Sequence, residues 1–193
     1  MNKYLDEIII QQRRDLERQK HSTLDTGIYA GEELVFFEER VLSEDGTKML
    51  LPSDFIEMPE EILKIKYPME KRPQIIWSNE DSTIDFTFSL LEPEPERDQL
   101  QQVRDDFCNT LQMIYPHYVF TDNGMIDGKT GAWYWAEFLS TTINGMLYNH
   151  LHVTCWENKL MLGLFHCPVQ LQEDWKKIVP QLLTTISKKE KLV

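Results

Sequence analysis

Three segments of the chain carry apolar residues at helical spacing. Residues 3–20 have only a thin stripe, at Tyr4, Leu5, Ile8, Ile9 and Leu16. A second stripe precedes Pro116, at Leu100, Val103, Phe107, Leu111 and Ile114. The last stripe begins at Trp175 and continues with Ile178, Val179, Leu182, Leu183 and Ile186. The two denser stripes predict helices that each bury one side on a core.

Most of the remaining segments alternate apolar and polar residues, as strands do. In the segment STIDFTFSLL, the apolar side chains of Ile84, Phe86, Phe88 and Leu90 alternate with Asp85, Thr87 and Ser89. This predicts one buried face and one polar face. Strands that outnumber helices and follow one another through hairpin turns are typical of an antiparallel sheet with helices packed on it.

The predicted fold class is therefore α+β, an antiparallel β-sheet flanked by helices as an α/β/α sandwich, with an N-terminal helical extension. The apolar stripe of the first helix ends at Leu16, and the charge of the first 20 residues is nearly balanced. We therefore expect residues 1–22 to be an extension and residues 23–193 to form a single α+β domain.

Two turns predict how the strands of residues 132–167 pair. Asn144-Gly145 is a strong two-residue hairpin loop, which would place Ile143 opposite Met146. Glu157-Asn158 is a weaker one, which would place Trp156 opposite Lys159. With both loops, Glu137 lies opposite His152, and Trp133 lies opposite Trp156.

Side-chain alternation then divides this three-stranded unit into two faces. One is an ordinary core face, made of Tyr134, Ala136, Phe138, Leu151, Val153, Cys155, Leu160, Leu162 and Leu164. The other, here called the aromatic face, carries Trp133, Trp135, Glu137, Tyr148, His150, His152, Trp156, Met161, Gly163 and Phe165. If it is open, it is the default pocket for a ligand or a partner; if a helix covers it, it is a second core layer.

The candidate binding residues are the polar and indole side chains of this face: Trp133, Trp135, Glu137, His150, His152 and Trp156. Glu137 with the two histidines has the composition of a two-histidine, one-carboxylate metal site. No further Asp or Cys of this face completes a tetrahedral set, so a Glu–His pair is the favoured interpretation and no metal is expected. Cys155 points to the other face, which argues against a catalytic cysteine–histidine pair. No catalytic residue and no cofactor are predicted.

The net charge of −12 limits the kinds of partner. Residues 32–98 hold 18 acidic and seven basic residues, a net of −11. Such a chain repels nucleic acid and anionic membrane surfaces, so neither is an expected partner. The acidic region either binds a basic protein or is a solvated surface.

The three cysteines include no C-x-x-C, and the first residues lack a signal-peptide apolar run. We therefore expect reduced thiols and a cytoplasmic location.

The order of elements, and in detail LYNHLHVTCWENKLMLGLFHCPVQLQEDWKKIVPQLLTTI, resembles the PsbP-like and DcrB-like superfamily. There, a strand with an aromatic pair leads into a hairpin, a short acidic turn and a Trp-containing helix. The resemblance implies an α/β/α sandwich and a non-enzymatic, protein-binding role. Members act as photosystem assembly or stabilising subunits, as a partner of the nuclear-import GTPase, and as envelope proteins, and no catalytic residue is carried over from them.

Two classes of function follow. The first is a non-enzymatic protein-binding or assembly module that uses the aromatic face or the acidic surface, with an immunity-type partner protein as one version. The second is a small-molecule-binding or metal-dependent enzyme centred on Glu137 and His152. The chain has no Gly-rich phosphate loop, nucleophile elbow or metal-ligand spacing, which favours the first class. A protein partner is expected, and residues 1–22 are a candidate homo-oligomer contact.

Overall fold

A computed structural model describes residues 3–188, with side chains from residue 7 onward. These residues form four α-helices: α1 (Lys3–Lys20), α2 (Glu60–Lys66), α3 (Leu100–Ile114) and α4 (Gln172–Leu183). Their strands are β1 (Ser22–Thr23), β2 (Gly27–Ala30), β3 (Glu33–Val35), β4 (Phe37–Val41), β5 (Thr47–Pro52), β6 (Ile56–Glu57), β7 (Ile75–Ser78), β8 (Asp85–Leu91), β9 (Val119–Gly128), β10 (Gly131–Thr142), β11 (Gly145–Trp156), β12 (Lys159–Pro168) and β13 (Ser187–Lys188).

The central element is a seven-stranded antiparallel sheet in the order β6-β7-β8-β12-β11-β10-β9. Two smaller sheets, β1-β2-β3 and β13-β5-β4, accompany it. The predicted α+β class with an antiparallel sheet is confirmed. The two edges of the central sheet differ, because β6 has two residues whereas β9 has ten.

Helix α3 covers the aliphatic face of the sheet. Its Leu100, Val103, Phe107 and Leu111 pack on a cluster that includes Phe138, Leu151, Val153, Cys155 and Leu160. The predicted stripe is confirmed up to Leu111. Ile114 lies in the last turn and is exposed, because the helix ends there and the chain turns away at Pro116.

Helix α4 and β5 cover the opposite, aromatic face. All six residues of the predicted stripe, Trp175, Ile178, Val179, Leu182, Leu183 and Ile186, are buried. They belong to one core cluster with Trp133, Tyr148, Trp156, Met161 and Phe165 of the sheet and with Met49 and Leu51 of β5. The aromatic face is therefore a second core layer.

The register prediction is correct for one hairpin and wrong for the other. Trp156 lies opposite Lys159, with Glu157 and Asn158 both at positive φ. In the other hairpin, however, Thr142 lies opposite Gly145, so the loop residues are Ile143 and Asn144. The Thr142 hydroxyl oxygen accepts the Asn144 amide N–H (3.3 Å) and closes the turn one residue early.

This shift changes the predicted pairs but not the faces. Glu137 lies opposite His150, and Trp135 lies opposite His152, so the expected Glu137–His152 and Trp133–Trp156 pairs are wrong. Because each strand moved by one residue, partners changed by two positions and every side chain kept its side of the sheet.

Helix α1 lies outside both core layers. Its residues from Glu7 to Lys20 are all exposed, and those of the predicted stripe include Ile8, Ile9 and Leu16. The side chains of Tyr4 and Leu5 lie outside the described part. Arg18 joins the helix to the body by donating to the Gly31 carbonyl and lying over the Tyr29 ring. The division into residues 1–22 and 23–193 stays a prediction, which this exposure supports.

We predict that Trp175→Ala nearly unfolds the domain. The indole is buried, with ring centroids 4.9 Å from Phe165 and 6.4 Å from Phe55. Truncation should lower the free energy of unfolding by about 3–5 kcal/mol in a denaturant titration. Gln181→Ala, on the exposed side of the same helix, is the control. A Trp175→Ala protein as stable as this control would show that α4 is not anchored by the indole.

Candidate functional site

The six candidate residues lie on one side of β10 and β11, as predicted, but beneath α4 and β5. Trp133, Glu137, His150, His152 and Trp156 are buried, and Trp135 is half-buried. Of the two alternatives predicted for this face, the structure shows the covered one, a second core layer. A ligand- or partner-binding role of these six residues stays a prediction.

Glu137 finds a cation on the covering helix instead of a histidine. Its Oε2 lies 2.8 Å from Nζ of Lys176, which also lies 3.3 Å from Asp122 Oδ2 on β9. The Glu137 side chain is 2% exposed and that of Lys176 is 37% exposed, so the pair spans the boundary between core and solvent. Hydrogen bonding to Glu137 raises the pKa of Lys176. The carboxylate is thus held in the core by a lysine that reaches in from outside.

The two histidines are enclosed by aromatic rings and are 0% exposed. His150 stacks on Trp135, with centroids 5.4 Å apart and planes 23° apart. The centroid of the His152 ring lies 5.6 Å from that of Trp133 and 5.5 Å from that of Phe88. A proton on His152 Nδ1 suits both of its contacts, the His150 carbonyl oxygen at 3.1 Å and His150 Nδ1 at 3.3 Å.

Gly163 is required where the His152 ring crosses the third strand. A Cβ added there would lie 2.1 Å from His152 Nε2 and 2.9 Å from Phe88 Cδ1. The missing side chain at Gly163 therefore leaves the space that the imidazole fills.

Both histidines are uncharged at neutral pH. Burial, and to a smaller extent the charge of Lys176, lowers the pKa of His150 to about 3. Burial and the neighbouring His150 lower the pKa of His152 well below its usual value. The described residues contain no group of three His, Cys, Asp or Glu side chains able to hold a metal.

The aromatic layer also collects polar atoms that lack partners. Five buried atoms bond to no described residue: Trp133 Nε1, Trp135 Nε1, His150 Nε2, His152 Nε2 and Trp175 Nε1. Each such atom lowers the free energy of unfolding by about 1–3 kcal/mol unless a water molecule forms a hydrogen bond with it. An apolar layer of the same volume would avoid this cost.

A second buried polar cluster, centred on Asp85, was not predicted. The carboxylate accepts hydrogen bonds from Tyr67 Oη at 2.8 Å and Ser78 Oγ at 2.9 Å. It also lies 2.7 Å from Lys66 Nζ and 3.4 Å from His166 Nε2. Burial lowers the pKa of His166 to about 4, against the opposing effect of Asp85.

The alternation of STIDFTFSLL had placed Asp85 and Thr87 on a polar face, yet both are buried. The sequence signal for the cluster is long-range, because Asp85 lies opposite both Ser78 and His166 on neighbouring strands. Ser78 and His166 contact the Asp85 carboxylate from the two neighbouring strands. Lys66 contacts it from α2 and so links that helix to the sheet.

The architecture matches solved structures although the sequence matches little. No protein-family model matches the chain, and no curated protein matches it in sequence. The solution structure of cyanobacterial PsbP (CyanoP) from Synechocystis sp. PCC 6803 superposes with a TM-score of 0.59, at 11% identity over 84% of this chain and 98% of that one. The fold is PsbP-like.

A protein from Bacteroides thetaiotaomicron VPI-5482 also superposes on this PsbP-like chain, with a TM-score of 0.53. The identity is 12%, over 80% of this chain and 49% of that one. At such identities the likeness concerns the fold alone, and the predicted resemblance is confirmed at that level. No helix within residues 3–188 is long and apolar enough to cross a membrane.

We predict that acidification destabilises the protein through its buried histidines. Their folded pKa values lie below the unfolded value of about 6.5, so the unfolded chain binds protons that the folded chain excludes. Their contribution is complete above about pH 6.5 and is lost as the pH falls towards the folded values, by up to about 1.4 kcal/mol per pH unit for each histidine.

His150→Phe keeps a ring against Trp135 and cannot titrate. Between pH 6.5 and about pH 4.5, the free energy of unfolding should fall less steeply in this variant than in the parent. Denaturant titrations at several pH values measure both slopes. Equal slopes would show that His150 is not held neutral in the folded protein.

Proposed function

We propose that this chain is a non-enzymatic module that binds a basic protein partner through its acidic surface. The observation that carries the proposal is the exposure of that surface. Of the 18 carboxylate residues between positions 32 and 98, 17 are exposed, and only Asp85 is buried. Exposed carboxylates make the local electrostatic potential negative and steer a positively charged partner to the surface.

Part of this acidic charge is compensated within the chain, and part is not. Glu38, Glu39 and Glu60 each form an ion pair with a nearby base. The segment 92–98 instead holds four carboxylates and a single base, Arg97. Of these four, Glu92 is paired with Lys159 (3.0 Å). We therefore place the centre of the partner contact on Glu94, Glu96 and Asp98.

The enzyme alternative has less support from the geometry. Its two central residues, Glu137 and His152, are not opposite each other and are sealed beneath α4. A substrate would have to displace the core layer that includes Trp175. The PsbP-like resemblance, with its protein-binding members, adds weight to the binding module. An immunity-type partner is one version of the same proposal, in which the basic protein is a toxin.

Pull-down from an extract of the native cells tests the proposal. The triple variant Glu94→Gln, Glu96→Gln, Asp98→Asn should recover at least about tenfold less of a basic partner than the parent protein. The same partner should be released as salt is raised, because exposed charges are screened over about 10 Å at 0.1 M.

The matched control removes the same charge elsewhere on the surface. Glu7→Gln, Glu157→Gln and Glu173→Gln change three exposed carboxylates outside the acidic region. The control should retain the partner. A partner held equally by all three proteins, or one that resists salt, would refute binding through the acidic surface.

A further inference from the structure

Strand β9 leaves the long edge of the central sheet open. It contributes ten residues, Val119–Gly128, and pairs only with β10 among the described residues. The opposite edge ends in the two-residue strand β6. Long edge strands are often protected by Lys, Pro or a β-bulge; the sequence VFTDNGMIDG has neither Lys nor Pro, and its bulge at Thr121 leaves regular pairing with β10 from Asp122 to Gly128. This edge can therefore accept another strand.

A cleft of about 440 Å³ runs between this edge and α3. Its helix side is lined by Arg104, Asp105, Cys108, Asn109 and Gln112, and its strand side by Phe120, Thr121, Asp122, Asn123 and Ala136. A strand added to β9 would alternate its side chains, and every second one would point towards α3. The open edge and the cleft are thus two parts of one groove, here called the α3–β9 groove.

Arg104 makes the inner wall of the groove rigid. Its side chain is 5% exposed, and its guanidinium group donates to the Trp135 carbonyl oxygen at 3.1 Å and to Asp105 Oδ1 at 2.8 Å. Its charge is therefore already matched by Asp105. The remaining lining is mostly amides, hydroxyls and carboxylates, which suits hydrogen-bond donors and cations better than anions.

The charges of the edge select the kind of occupant. Asp122 and Asp127 are exposed, Asp122 shares the Lys176 ammonium group with Glu137, and β9 contains no basic residue, so the edge keeps an excess of negative charge. A second copy of the chain would bring two further carboxylates to the same edge, and like charges on paired strands are destabilising. An extended segment with Lys or Arg side chains would instead meet acidic groups.

We propose that the α3–β9 groove binds an extended basic peptide segment by adding it as an eighth strand next to β9. Backbone hydrogen bonds to the open edge provide affinity, and alternate side chains in the cleft provide selectivity. The inference rests on the proposed function, because it gives the basic partner a second contact, made by an extended segment. It also places this contact on a surface separate from Glu94, Glu96 and Asp98.

The probe is a phage-displayed library of random peptides of about twelve residues, long enough to pair along β9. Selection on the intact protein should enrich peptides with Lys or Arg at alternate positions and without Pro in their centres. Asn109→Trp fills the groove from an exposed position of α3, whereas Thr110→Trp places the same indole at an exposed position on the side of α3 that faces away from the groove.

Fluorescence anisotropy of the enriched peptides distinguishes the outcomes. Asn109→Trp should weaken binding at least about tenfold, equal to about 1.4 kcal/mol, and Thr110→Trp should not. Methylating alternate backbone nitrogens of the peptide should weaken it similarly. Equal binding to both variants, no enriched peptide, or a dimer in sedimentation that Asn109→Trp abolishes would each overturn the proposal.

The variants also separate this inference from the proposed function. If the triple variant Glu94→Gln, Glu96→Gln, Asp98→Asn loses its partner while Asn109→Trp keeps it, the groove inference fails and the proposed function stands. If neither variant changes the recovery of a partner, both fail.

Discussion

A carboxylate on a strand whose neighbours are aromatic rings cannot stay charged there without a cation. Glu137 is in this position, and Lys176 of α4 provides the cation at 2.8 Å. The contact fixes how α4 lies on the sheet, because the lysine stem must pass from the solvent side to β10. That orientation directs Trp175 towards Phe165 and Phe55. The same helix buries the aromatic face with its apolar stripe.

Which parts of this arrangement could be predicted depends on the range of the interactions. Side-chain parity along β10, β11 and β12 is local, so both faces were predicted correctly even though one hairpin closes at Thr142 rather than at Ile143. The exact partner of Glu137 was not predictable, because Lys176 lies 39 positions away and on a helix. Asp85 was misplaced for the same reason, since Lys66, Ser78 and His166 converge on it from three other elements.

The distribution of polar groups separates the interior from the surfaces that are able to bind. His150 and His152 are the most conspicuous site candidates in the sequence, yet their side chains are buried among aromatic rings and uncharged. The accessible features are the acidic segment 92–98, the exposed helix α1 and the open edge β9. None of these has a motif, because a charged surface and a strand edge depend on exposure rather than on residue type. The most conspicuous residues of the sequence thus stabilise the core, and the surfaces open to a partner carry no motif.

The central claim is that Glu137 is a structural residue held in the core by Lys176, and a double-mutant cycle of unfolding free energies tests it most directly. Lys176→Met leaves the buried carboxylate unpaired and should destabilise the protein by roughly 2–4 kcal/mol. Adding Glu137→Gln removes the unpaired charge, so the double variant should recover a large part of that loss, with a coupling energy above about 1 kcal/mol. Additive losses from the two changes would contradict the account.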